Sequence, residues 1–229
     1  MENEREKSVF REYAEAFITA LILALIIRSF VVQAFKIPSG SMLQTLQIGD
    51  HILVNKFIYR FTEPKRGDVI VFKYPKDKNR DFIKRVVGLP GETILIKNQK
   101  IYINGVVLTE KYIQHAEAIS PDGYVFPRDN FGPLKIPADS VFMMGDNRDT
   151  SLDSRYWGAL KKDLIQGKAF VIYWSIEPYE LNPSHVVSSL IGWAKTLSFR
   201  IRWGRIGQLV SWLDLSAVPP AYSCTTSTV

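Results

Sequence analysis

Apolar residues run almost without a break from position 16 to 35, interrupted chiefly by Arg28, Ser29 and Gln33. A helix of that length reaches about 30 Å, the thickness of a hydrocarbon core, so the pattern predicts one transmembrane helix over 16–35. Arg28 lies toward its C-terminal end, where the long stem can carry the guanidinium to the headgroups. The competing reading is a cleaved secretory signal, with 16–27 as its apolar region and Val32-Gln33-Ala34 as its cleavage site. Against it stand the mixed acidic and basic N-terminus and the apolar run past Arg28. Arg5, Lys7 and Arg11 precede the span and only Lys36 follows closely, so residues 1–15 are expected in the cytoplasm and the rest outside.

After position 35 the period shortens. Apolar runs of four to seven residues alternate with Gly, Pro, Asn and Asp, the pattern of an all-β domain of mainly antiparallel sheet. Strands are expected at 51–57, 68–73, 82–87, 93–97, 141–144 and 168–174. Ile101-Tyr102-Ile103 and Val106-Val107-Leu108 flank Asn104-Gly105, a hairpin signal because both turn residues tolerate positive φ. Residues 109–139, with four prolines, read as a long connection with room for a short ribbon. Apolar residues at 186, 187, 190, 191, 194 and 197, and again at 206, 209, 210 and 213, suit helical spacing. Between them Arg200, Arg202, Trp203 and Arg205 read either as a surface resting on lipid headgroups or as ordinary packing with solvated charges. The β-rich domain is assigned to 36–213, and 214–229 to a disordered tail.

At 229 residues the chain has room for an anchor and one sizeable core. The net charge of +6 raises nucleic acid as a partner, but the basic residues are spread among acidic ones without a Lys/Arg tract or a finger pattern. Anionic lipid is the better match, and no nucleic-acid partner is expected. Cys224 is the only cysteine, so neither an intramolecular disulfide nor a cysteine metal site is possible.

Pro38-Ser39-Gly40-Ser41-Met42 follows the apolar span directly and puts two serines close to a membrane surface. A serine hydroxyl needs a base to become a nucleophile. His51, His115 and His185 are the histidine candidates, and none sits in a motif with an acidic orienter. Ser41 also lacks the Gly-x-Ser-x-Gly elbow of the α/β-hydrolase plan. A lysine can serve if burial lowers its pKa. Lys84, between Phe82-Ile83 and Val86-Val87 in a strand-like run, is suited to such a setting. Asp146, Asp149 and Asp153 offer oxygen ligands, but the spacing of a calcium loop with its closing glutamate is absent, so no metal and no cofactor is expected.

Three blocks occur in order: Ser39-Gly40-Ser41-Met42-Leu43-Gln44-Thr45-Leu46, then Phe82-Ile83-Lys84-Arg85-Val86-Val87-Gly88-Leu89-Pro90-Gly91-Glu92, then Gly145-Asp146-Asn147-Arg148-Asp149-Thr150-Ser151-Leu152-Asp153-Ser154-Arg155. Together they closely resemble the bacterial type I signal peptidases, over roughly residues 28 to 180. The resemblance implies a membrane-anchored serine endopeptidase of the bacterial inner membrane with its catalytic domain outside, acting on the signal peptides of preproteins, most simply as a monomer. It implies Ser41 as nucleophile and Lys84 as general base, with the Ser39 hydroxyl and the Ser41 N–H as the oxyanion hole. Ser151 matches the serine that orients the lysine amine. Asp153 and Arg155 are expected as a supporting ion pair, with Asp146 in the same loop.

Ile37, Pro38 and Ile83 match positions lining the pockets for the −1 and −3 substrate residues, and Phe82 stands beside them where tyrosine is common. Gln44 replaces a usual proline. Arg66-Gly67-Asp68 resembles a structural block leading into a strand, and 201–207 looks like the basic segment that closes some members. Two other readings compete: a catalytically silent tethered β-domain that binds secreted proteins, and a self-cleaving repressor with a serine-lysine site, which the apolar span and missing DNA-binding region disfavour.

Overall fold

The structure, a computed structural model, describes residues 9–26, 31–113, 127–177 and 201–210. Helix α1 covers Val9–Ile26. Phe10, Phe17, Leu21, Leu23 and Leu25 on it are all at least half exposed or nearly so. Among the described residues no helix is long and apolar enough to cross a membrane. The expected helix over 16–35 is corrected at its C-terminal end: Val32–Lys36 is strand β1. An uninterrupted apolar run does not distinguish helix from strand. Here the 32–36 backbone finds sheet partners in β2, Asp50–Asn55, with Val32 opposite Asn55 and Lys36 opposite His51.

The other strands are β3 Val69–Tyr74, β4 Asp77–Gly88, β5 Thr93–Lys97, β6 Lys100–Ile103, β7 Val106–Val107, β8 Phe131–Lys135, β9 Ser140–Met144, β10 Leu160–Lys161 and β11 Ile165–Ser175. They form a seven-stranded sheet in the order β1-β2-β11-β3-β4-β9-β10 and a four-stranded sheet in the order β7-β6-β5-β8. Every named pairing is antiparallel. The expectation of a mainly antiparallel β domain therefore holds. A one-turn helix, α2, covers Ser154–Trp157.

Asn104 and Gly105 have φ of 51° and 84° and close the expected β6–β7 hairpin. Part of the long connection is a full strand, because β8 pairs along β5 with Ile94 opposite Leu134. The expected helical spacing from 206 is corrected as well. Residues 201–210 make a short 3-10 turn at Trp203–Arg205 and two isolated bridges, Ile176 to Ile201 and Val171 to Leu209. The helical spacing at 186–197, His115, His185 and the tail from 214 lie outside the described residues.

Alternation along the strands divides the interior into three apolar clusters. One gathers Ile37, Met42, Leu46, Ile52, Val54, Val71 and Ile172 under the β1–β2 connection, with Ile83 packed against it. A second, with Ile94, Ile101, Ile136 and Phe142, joins the two sheets. The third holds Ile70, Phe72, Val86 and Met143, with Phe82 against it. Neighbouring residues of β4 thus serve different clusters, Ile83 one and Phe82 another.

Candidate active site

Three stretches of chain converge. The first is the loop 37–49 between β1 and β2, which bears Ser39 and Ser41. The second is β4, which bears Lys84 and Arg85. The third is the loop 145–153 after β9. Arg85 pairs with Met144 across β4 and β9, so one step along that register brings Lys84 level with Gly145 at the start of the third stretch. Asn147 ties the third stretch to the first: its N–H donates to the Ser41 carbonyl at 3.2 Å and its side-chain amide to the Gly40 carbonyl at 3.2 Å. A Cβ on Gly145 would stand 2.3 Å from Ser151 Oγ and 2.5 Å from the Ser41 carbonyl oxygen. Only glycine permits that approach.

Lys84 Nζ donates a hydrogen bond to Ser41 Oγ at 2.5 Å. The lysine is 4% exposed, and burial pulls its pKa down to about 8, against the opposing pull of Asp153 and Asp146. Its amine also lies 5.6 Å from the centre of the Phe82 ring, which itself stacks on Tyr74. A substantial fraction of such an amine is neutral near pH 8, and a neutral amine accepts a proton from the serine it touches. His51 provides no such contact: its Nδ1 is buried without a hydrogen-bond partner.

The remaining expected residues divide. Ser39 is exposed in the bend before Ser41. Ser151 is buried beside Gly145, but its Oγ has no hydrogen-bond partner, so the expected bond to the lysine amine is not made. Ile37 is buried and Ile83 packs on the same cluster, whereas Pro38 is exposed. Phe82 belongs to the cluster around Phe72 and Val86. Gln44 has φ of 75°, a region closed to proline, so the turn after Ser41 is not the turn a proline would make at that position.

Asp153 and Arg155 form the expected ion pair at 2.8 Å. Asp153 caps α2 and accepts from the Gly145 N–H at 3.1 Å, while Arg155 also donates to the carbonyls of Arg128 and Arg148. Asp146 and Asp153 are therefore taken up by guanidinium groups rather than directed at a metal. Among the described residues no group of three or more candidate ligands is gathered.

Sequence reasoning missed the partner of Asp146. Arg85, next to Lys84, holds it bidentately, at 2.8 Å from Nε and 2.7 Å from Nη2. Thr45 closes the triangle, donating to Asp146 at 2.5 Å and accepting from Arg85 at 2.9 Å. Arg148 was also passed over. It pairs in the interior with Glu110 at 2.6 Å, and Glu110 in turn accepts from Tyr112 at 2.8 Å. The available signal was that Arg85 and Arg148 sit inside the same blocks as Lys84 and Ser151.

A serine whose hydroxyl meets a buried, partly neutral lysine on a β scaffold is equipped for acyl transfer. Residues 10–174 match the family described as Signal peptidase, peptidase S26. A signal peptidase I of Leptolyngbya laminosa is 44% identical over 173 residues, covering 72% of this chain and 80% of that protein. A probable signal peptidase I-2 of Synechocystis sp. is 38% identical over 175 residues (74% and 76%), and the signal peptidase I of Pseudomonas aeruginosa is 38% identical over 216 residues (76% of each). A crystal structure of a signal peptidase I from Enterococcus faecalis V583 is 35% identical and covers 47% of this chain and 97% of that one, with a TM-score of 0.40. The chain belongs to the signal peptidase S26 family, and it is a hydrolase of the signal peptidase I class.

Proposed function

We propose that this protein is a membrane-anchored serine endopeptidase that removes N-terminal signal peptides from exported preproteins, cleaving after small residues. The observation that carries this reading is the 2.5 Å contact between Ser41 Oγ and the buried amine of Lys84. Lys84 takes the Ser41 proton as Oγ attacks the scissile carbonyl carbon. The Ser39 hydroxyl and the Ser41 N–H donate to the oxyanion that develops. Collapse breaks the peptide C–N bond, Lys84 returns the proton to the leaving amine, and an acyl ester on Ser41 remains. Water, deprotonated by Lys84, then hydrolyses that ester and frees Ser41.

Ile37, Pro38 and Ile83 form walls for the −1 and −3 side chains that accept a methyl group and reject bulk or charge. In this reading Ser151 donates to the neutral amine once the lysine has turned away from Ser41, which gives its unpartnered hydroxyl an occupation. The exposed apolar side chains of α1 seat the N-terminus in the bacterial inner membrane, with residues 1–15 on the cytoplasmic side and the β domain outside. Lipid contact continues at the exposed Trp203 and Trp174, whose rings meet edge to face at 6.2 Å.

The test is incubation of the purified protein with a preprotein bearing an Ala-x-Ala site, followed by N-terminal sequencing of the product. Parent protein should release the chain that follows the site, and Ser41→Ala and Lys84→Ala should release none. Cleavage by either variant at the parent rate would refute the mechanism.

A further inference from the structure

We infer that the segment 201–210 is a clasp that holds the loop bearing Ser41 in register with Lys84, and that Arg202 and Arg205 are positioning residues for the reaction. This rests on the reading of Ser41 as nucleophile. The family match covers residues 10–174, and the segment follows it, opening with the basic run 201–207 that resembles the close of some members.

The loop 37–49 is closed at its base by backbone bonds, from the Ile37 N–H to the Asp50 carbonyl at 2.8 Å and from the Gly49 N–H to the Ile37 carbonyl at 3.0 Å. Its second half relies on residues more than 150 positions away. Arg205 Nη2 donates to the Thr45 carbonyl at 2.9 Å and to Asp50 Oδ2 at 2.6 Å. Arg202 donates to Gln47 Oε1 at 2.6 Å and to the Ile48 carbonyl at 2.8 Å, while its Nε reaches Ser175 Oγ at 2.7 Å. Asp50, fully buried, is the hub, since both arginines and Ser175 converge on it. A carboxylate buried so completely is tolerable only with such partners.

The clasp is itself docked. Gly207 N–H donates to the Ile172 carbonyl at 2.8 Å, Ile172 N–H donates to the Gln208 carbonyl at 3.0 Å, and Val210 is buried in the cluster that contains Met42, the neighbour of Ser41. Thr45 is where this arrangement meets the base. Its carbonyl is held by Arg205, while its hydroxyl bonds Asp146 and Arg85, and Arg85 adjoins Lys84 in β4. One residue therefore sets the nucleophile loop against the strand of the base. Each arginine serves at least three acceptors with one planar fork, which a lysine can meet only in part. A displacement of about 1 Å at a reacting pair is enough to lower turnover on the order of a hundredfold.

The experiment uses the full chain in detergent and a short peptide substrate with alanine at −1 and −3. Arg205→Ala and the double variant R202A/R205A are expected to lower kcat about 10- to 100-fold, with KM within about threefold of the parent. The midpoint of the rate–pH profile should stay in place, because Lys84 remains buried. Arg205→Lys should recover part of the loss, and free guanidinium ion should partly rescue Arg205→Ala. Turnover within twofold of the parent in the folded double variant overturns the inference. So does a loss that neither lysine nor guanidinium restores, or failure of Arg205→Lys to fold, since each assigns the segment a purely structural role. Ser41→Ala run beside them separates the two claims: if it stays active the nucleophile assignment is wrong, and if it is dead while R202A/R205A is unimpaired the clasp alone is wrong.

Discussion

The amine of Lys84 stands 2.5 Å from the hydroxyl of Ser41, although 43 positions separate them in the chain. In the proposed mechanism the amine must be neutral to take the serine proton, so its pKa of about 8 would set the pH range of activity. Turnover on a peptide substrate should rise with pH through about 8 and fall about tenfold for each unit below it. Lys84→Arg should be inactive at every pH up to 10, because a guanidinium stays protonated there. A flat profile between pH 6 and 9 would assign the base elsewhere.

The same burial has a cost in stability. An unfolded lysine binds its proton below about pH 10.5, the buried one only below about 8. Stability is therefore full above the unfolded pKa, declines as pH falls from about 10.5 to about 8, and stays low below that. The penalty at neutral pH is on the order of 3 kcal/mol. Lys84→Met, which keeps the apolar stem and removes the charge, should melt several degrees above the parent at pH 7 and close to it at pH 11. A lower melting temperature at pH 7 would contradict this. The substitution should abolish activity, as expected where stability is given up for a functional group.

Arg85 and Asp146 predict the opposite sign. Both are almost wholly buried and bound bidentately. Asp146→Ala leaves a buried guanidinium without its carboxylate, a loss of about 3–5 kcal/mol. Replacing both residues by apolar side chains should restore part of it. Denaturant unfolding of the single and double variants measures the difference, and an additive double loss would show that the pair acts independently.

Much of the candidate site was readable because it lies in contiguous blocks. Ser41 follows Pro38-Ser39-Gly40, and Lys84 lies between the apolar pairs Phe82-Ile83 and Val86-Val87, which suit a largely apolar setting. The strands from 93 to 108 were legible for a similar reason, since Asn104-Gly105 determines a local turn. What escaped was non-local. Arg202 and Arg205 read along the chain as a headgroup surface or as packing with solvated charges, Arg85 and Arg148 carried no assignment of their own, and only the tertiary fold brings Asp50, Asp146 and Glu110 to them. Residues 32–36 have no local feature separating the end of a helix from an edge strand, and pairing with β2 decides it. Ile206, Leu209 and Val210 fit a helical period, yet β11 holds that backbone in bridges and turns.

The edge strand changes where the chain can be cut. Removing residues 1–30 takes away α1 and leaves β1 paired to β2, so the product should fold and cleave peptides. Removing 1–35 deletes most of β1 and exposes the β2 edge and the cluster under Phe35. That product should be less stable by several degrees and prone to associate through the open edge. Equal melting temperatures for the two truncations would show that β1 contributes little.

Ile83 and Phe82 adjoin in sequence but lie on opposite faces of β4, and their contacts differ accordingly. Ile83 packs with Ile37 against the cluster under the loop that bears Ser41, whereas Phe82 stacks on Tyr74 and faces the amine of Lys84. Their effects on the reaction should differ in kind. If Ile83 and Ile37 wall the proposed pocket, Ile83→Ala removes part of that wall, and substrates with valine or leucine at −1 or −3 should gain at least tenfold in kcat/KM relative to alanine. Phe82→Ala leaves that side of β4 intact and opens the surroundings of the Lys84 amine. Water reaching the amine weakens the desolvation that lowers its pKa, so the midpoint of the rate–pH profile should move upward while the preference for small residues stays unchanged. Rates measured for the two variants over a −1 and −3 substrate series and from pH 6 to 10 decide the matter, and a changed residue preference in Phe82→Ala would place its ring in the specificity pocket instead.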